Sequence, residues 1–138
     1  MGNYQAGVIE VDEVRSLLVE AGYEIVKSDG DSLQVRDLDS GIIMTSVLED
    51  NVLFNTVSCK VMAESEITTE MMKTMLASEN GISTSAFKLF PLDGGKTAVT
   101  LNNFCKLQSM GEDDKDDILS CLNFLLVDTV VARGLLEK

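Results

Sequence analysis

The chain has no histidine, no tryptophan, a single proline and no Cys-x-x-Cys pair among its 138 residues. The missing histidine excludes Ser-His-Asp and Cys-His nucleophilic arrangements, together with the usual histidine-containing zinc sites. Acid–base catalysis would have to rest on carboxylates alone, and no pair of them stands out on a cleft-like element. The expectation is a protein that is not an enzyme and carries no cofactor. The three cysteines, Cys59, Cys105 and Cys121, are too few and too odd in number for a disulfide framework. Each lies in an apolar-periodic segment and reads as a buried structural thiol. Basic residues are scarce too: 11 against 23 acidic ones give a formal net charge of −12. They are scattered singly from Arg15 to Lys138, whereas nucleic acid and anionic membranes are gripped by clustered Lys and Arg. Both are disfavoured as direct partners.

Nor does a basic stretch with an apolar run open the chain, so no secretory signal is evident. Met1-Gly-Asn-Tyr-Gln-Ala6 lacks the Ser or Thr of a myristoylation signal. The C-terminal apolar run is broken by Asn123, Asp128 and Arg133 and reads as falling short of a membrane span. A reducing cytoplasm is the expected location.

What is present is ordinary globular material, 45% apolar and 25% charged, in one domain's length. Residues 10–22 carry Val11, Val14, Leu17, Leu18 and Ala21 at helical spacing, and Gly22 supplies the stop. A short extended piece is expected at 23–26, before the turn at 28–31. Strands are expected at 33–37, 42–48 and 52–61, separated by Asp-, Ser-, Asn- and Gly-rich turns. Leu53, Val57, Cys59 and Val61 share one face of the third, with Asn55 as its polar exception. A second helix is expected over 68–78, closed by Glu79-Asn-Gly81. Strands over 83–90 and 97–107 follow, joined by a hairpin at Asp93-Gly-Gly95. Phe87, Leu89, Val99 and Leu101 are their expected buried face.

The order is α-β-β-β-α-β-β-α, an antiparallel sheet of about five strands with helices packed on it, of α+β class. No repeat or linker divides it.

Several motifs dissolve on inspection. Asp113-Asp-Lys-Asp-Asp117 spells the magnesium-diphosphate pattern of terpenoid synthases, but those enzymes need a large all-helical cavity. Acidic residues at a helix start stabilise it against the macrodipole by about 0.3–1 kcal/mol each, which accounts for the run. Asp29-Gly-Asp31 and Asp37-Leu-Asp39-Ser-Gly41 lack the spacing and closing Glu of a calcium loop and read as turns. Asp93-Gly-Gly95 lacks the Lys-Ser/Thr and following helix of a phosphate loop.

The last helix is the unusual element. Stepped at about 100° per residue, Ile118, Leu122, Leu125 and Leu136 form one stripe. Phe124, Val127, Val131 and Leu135 occupy much of the other side. A helix apolar all round is normally covered on more than one side, and a short chain has little mass to do so. Met71, Met72 and Met75 form a second broad apolar face, which suits either core filling or an adaptable binding surface. Met71, Met72, Met75, Phe124, Val131 and Leu135 are therefore the candidate interface residues. A homodimer or another protein partner is expected, with Phe124 the direct test.

The element order, acidity and apolar last helix resemble the type III secretion chaperone-like fold, shared by the YbjN-like bacterial proteins. The stretch from Val52 to Val61, Met71 to Ser85 with its Asn80-Gly-Ile-Ser83, and Asp117 to Arg133 also resembles the YjfI-like family of uncharacterised bacterial proteins. The likeness covers the chain from about Ser32 onward. It implies a non-enzymatic, often dimeric binding module, chaperone-like or regulatory, with no catalytic residues to carry over. It further implies an association with a phage-shock-protein-A-like membrane-stress protein. The alternative from the residues themselves is a small-molecule or metal-sensing regulatory domain built on the acidic turns.

Overall fold

The structure, a computed structural model, describes residues 7–137. Helix α1 (Val11–Glu20) is followed by strands β1 (Glu24–Asp29), β2 (Ser32–Arg36), β3 (Ile43–Glu49) and β4 (Val52–Ala63). Helix α2 (Thr69–Leu76), strands β5 (Ala86–Pro91) and β6 (Lys96–Lys106) and helix α3 (Glu112–Leu136) complete the chain. The strands make one open antiparallel sheet in the order β1-β2-β3-β4-β6-β5. It has six strands rather than about five, because the extended piece after α1 is itself a strand, pairing with β2 from Glu24↔Arg36 to Asp29↔Ser32. The weak alternation of β1 hides it in the sequence: as an edge strand it buries almost nothing.

The turns explain the hairpins. Between β3 and β4, Asp50 and Asn51 both take positive φ (51° and 60°), the pair of left-handed residues that a two-residue hairpin matching the strand twist requires. Asn51 then does a second job. Its side chain accepts from the Ile9 N–H at 2.9 Å and donates to the Gly7 carbonyl at 3.0 Å, while its own carbonyl accepts from the Leu107 N–H at 2.7 Å. One turn residue thus fastens the segment that leads into α1.

The contacts gather into two compact units, each made of two chain segments. The first comprises residues 7–55 and 104–122, the second residues 56–103 and 123–137. In the first, α1 buries Val14, Leu17 and Leu18, and α3 contributes Ile118 and Leu122. The sheet contributes Leu33 and Val35, Met44 and Leu48, Leu53 and Cys105. Among these apolar side chains the Ser46 hydroxyl donates to Asn55 Oδ1 at 2.7 Å. The polar exception on β4 is therefore satisfied inside the core, as a buried amide must be.

In the second unit Met62, Met75, Val99 and Leu136 pack into one cluster, flanked by Cys59, Ile67, Met71 and Phe87. Two expectations fail here. Val61 is exposed and Met62 buried, so the alternation of β4 slips by one residue after Cys59. Leu89 is exposed as well, because β5 is a sheet edge whose outer side nothing covers among the described residues. Its partners across the ladder, Val99 and Leu101, are buried as the alternation requires.

Helix α3 is longer and more continuous than the breaks in its sequence suggest. Its 25 residues, with mean hydropathy of 1.7 over 18 of them, are long and apolar enough to cross a membrane. Here Ile118, Leu122, Leu125, Ala132 and Leu136 instead lie inside the protein.

Candidate interaction surface

Two buried carboxylates set how α3 is held. Asp114, in its first turn, accepts the N–H groups of Gln108, Ser109 and Met110 on one oxygen, at 2.8, 2.8 and 2.6 Å. Burial pushes its carboxyl up, and the three backbone donors outweigh that and hold it below the usual carboxylate range. The bonds wrap the chain entering α3 into a tight loop, with Met110 in the left-handed region at φ 59°. The acidic start therefore does more than complement the helix dipole.

Asp128 repeats the device in the second unit. It accepts from the Ser83 N–H and hydroxyl, both at 2.9 Å, and from the Thr84 and Ser85 N–H groups at 3.3 and 3.2 Å. Here too burial raises the carboxyl and the donors on Ser83 and Ser85 bring it below its ordinary value. The residue that looked like a break in the apolar run is thus the anchor of the segment preceding β5. Asn80 prepares that segment: its amide donates to the Met75 carbonyl at 2.6 Å and accepts from the Ile82 N–H at 2.9 Å. Gly81 (φ +84°) then passes so close to α3 that a Cβ on it would stand 3.1 Å from Val131 Cγ1. At the far end of the helix the Lys60 ammonium reaches the Leu136 carbonyl at 3.3 Å, a favourable charge at a helix C-terminus.

These contacts sort the candidate interface residues. Met75 is 4% exposed and sits in the cluster with Met62, Val99 and Leu136; Met71 packs against that cluster. Val131 and Leu135 are half-buried, Val131 beneath the Gly81 backbone. Met72 and Phe124 are exposed. Val127, which helical stepping placed with Phe124 on the far side of α3, is 53% exposed; Val130, which it did not single out, is 64% exposed, and Leu76 on α2 is 78% exposed. The outward side of α3 in the second unit is therefore Phe124, Val127 and Val130, three large apolar side chains within two turns. Such a cluster on a helix needs explaining more than single exposed apolar residues do.

In the first unit Phe54 of β4 and Phe104 of β6 are likewise exposed, their ring centroids 6.1 Å apart at a 40° tilt. Strand alternation could have pointed to Phe54, since it faces away from Leu53 and Asn55.

Among the described residues no group of three or more His, Cys, Asp or Glu is placed to hold a metal ion. The acidic turn at Asp37 is closed on itself, its carboxylate accepting from the Ser40 N–H and hydroxyl at 3.0 and 2.6 Å.

No protein-family model matches the chain, and no curated protein matches it in sequence. Among solved structures it is similar to YbjN from E. coli, titled a candidate transcription regulator, with a TM-score of 0.69. That match covers 94% of this chain and 93% of the other at 14% sequence identity. At that identity the likeness concerns the fold alone: the chain has a YbjN-like α+β architecture.

Proposed function

We propose that this protein is a non-enzymatic binding module, regulatory or chaperone-like, that engages a second copy of itself or another protein through the outward side of α3. The observation that carries the reading is the cluster Phe124, Val127 and Val130 on a helix whose opposite stripe is fully buried. Burying three such side chains in an interface contributes roughly 1.5–3 kcal/mol each before the cost of association. The absence of histidine and the YbjN-like fold, whose relative is described as a regulator, support the same class. Membership of the YjfI-like family and a phage-shock-protein-A-like partner are the finer form of this proposal. The cytoplasm is its proposed setting.

Charge separates the two kinds of partner. Two copies each carrying −12 repel, so self-association should tighten as salt screens that repulsion. A complex with a basic protein should loosen instead. Light scattering over a concentration series, at low and high salt, distinguishes them. Phe124→Asp should abolish either association while leaving the circular dichroism spectrum unchanged. A folded Phe124→Asp variant that associates like the parent would overturn the assignment of the surface.

A further inference from the structure

Charge is spread unevenly over the molecule. Of the formal −12, the first unit carries −11 (16 acidic and 5 basic residues) and the second −2 (7 and 5), with Lys138 outside the described residues. One of the seven acids of the second unit, Asp128, is buried. On the outward side of α3 nothing from Asn123 to Val130 is charged. Two copies meeting there bring no like charges into contact, and the repulsion left over belongs to the first unit and is screened by salt. An uncharged side also offers a basic partner nothing to pair with.

Gly134 marks the same side. It lies within α3, although glycine weakens a helix interior. It is exposed, takes no positive φ, and a Cβ on it would meet no heavy atom within 4 Å. Nothing among the described residues therefore requires a glycine there. Asn123, Val127, Val130 and Gly134, at i, i+4, i+7 and i+11, run down one line of the helix. The bare position continues the exposed apolar side and lets another backbone approach closely.

Resting on the reading of this side of α3 as the binding surface, we propose that its occupant is a second copy of the chain. The two α3 helices pack antiparallel about a two-fold axis midway between Val127 and Val130. Val127 of each copy then meets Val130 of the other, and Asn123 meets Gly134. Phe124 falls level with the turn from 131 to 135 of the other copy, where Val131 and Leu135 are half-buried. Shape sets the antiparallel sense, because Phe124 and Gly134 lie at opposite ends of the exposed line. Reversing one helix puts the bulky end of each copy against the bare end of the other. A parallel pair would set Phe124 against Phe124 and leave a gap at Gly134. Antiparallel helix dipoles also attract, whereas parallel ones repel. The contact uses the same patch on both copies, so the assembly closes at a dimer.

Sedimentation velocity and isotope-filtered NMR on the full-length protein test the pairing. The expected result is a concentration-dependent passage from monomer to dimer, with amide shifts centred on Phe124, Val127, Val130 and Gly134. In a mixture of carbon-13-labelled and unlabelled copies, methyl contacts between copies should join Val127 to Val130. Gly134→Gln adds bulk without charge at a position that is open in the monomer. It should weaken dimerisation at least about tenfold and leave the urea midpoint no lower. A parent that stays monomeric at NMR concentration overturns the proposal. Binding of another protein that Phe124→Asp abolishes would then leave the surface assignment standing. A dimer whose shifts centre on Phe54 and Phe104, or contacts joining Phe124 to Phe124 as in a parallel pair, would also overturn it. So would a Gly134→Gln variant that dimerises as tightly as the parent.

Discussion

The two units bury their cores with different materials. In the first, α1 drives Val14, Leu17 and Leu18 inward against branched strand residues such as Leu33, Val35 and Leu53. In the second, α2 contributes one buried residue, Met75, to a cluster that also leans on Met62. Branched side chains fix few rotamers and pack tightly, whereas methionine adapts to irregular gaps. Each unit adds a buried carboxylate anchor, Asp114 in the first and Asp128 in the second, the latter gathering the Ser83–Ser85 backbone. The second unit leaves Leu76, Phe124, Val127 and Val130 exposed, and the first leaves the Phe54–Phe104 pair. The surface proposed for binding lies on the unit whose cluster includes Met62 and Met75, residues suited to adaptable packing.

Equal truncations in the two cores should break or sharpen this contrast. Leu18→Ala, in the first unit, should cost about 4 kcal/mol, since Leu18 is fully buried among branched neighbours. Asp128→Ala comes next, at about 3 kcal/mol, because it strands the Ser83, Thr84 and Ser85 N–H groups without their acceptor. Met75→Ala should cost about 2 kcal/mol, the lower end for such a truncation, as a Met-rich site collapses more readily. Urea unfolding midpoints measure all three. A Met75→Ala loss equal to that of Leu18→Ala would remove the contrast between the cores.

Gly81→Ala should cost roughly 1–2 kcal/mol, since the position combines φ +84° with the near contact to Val131. Phe124→Asp should change monomer stability least, within about 0.5 kcal/mol, as an exposed substitution does. Its effect belongs to association.

Acid supplies a test common to both units. Asp114 and Asp128 have folded-state values below the ordinary carboxylate value of 3.8. Their contribution to stability is fully present above that value and is lost as pH falls through the depressed folded values. Unfolding free energy should therefore drop below about pH 4. Replacing either residue with Asn should flatten the drop, as read from denaturant midpoints against pH.

Much of the fold was legible because burial imposes periodicity. The helical spacing of Val14, Leu17 and Leu18 and the stripe Ile118, Leu122, Leu125 and Leu136 needed no tertiary knowledge, and all are buried. The hairpins followed from residues that tolerate positive φ, such as Asn51 and Gly94. Less legible was whatever depended on a distant partner. Asp128 looked like an interruption in an apolar run, because its donors lie 43–45 residues away. Val61 and Leu89 fit their alternation, but a slip in β4 and the bare edge at β5 leave them exposed.

The sequence by itself determined the α+β class, the antiparallel hairpins, the inward stripe of α3 and the exclusion of histidine chemistry. Each follows from local pattern or composition, which act over a few residues. Only the tertiary structure decided that β1 joins the sheet and that Asp128 grips the Ser83–Ser85 backbone. It also decided that Val127 and Val130, beside Phe124, face outward while Val131 lies beneath Gly81. Those outcomes depend on which distant segments come together to cover a side chain, and local periodicity carries no record of that.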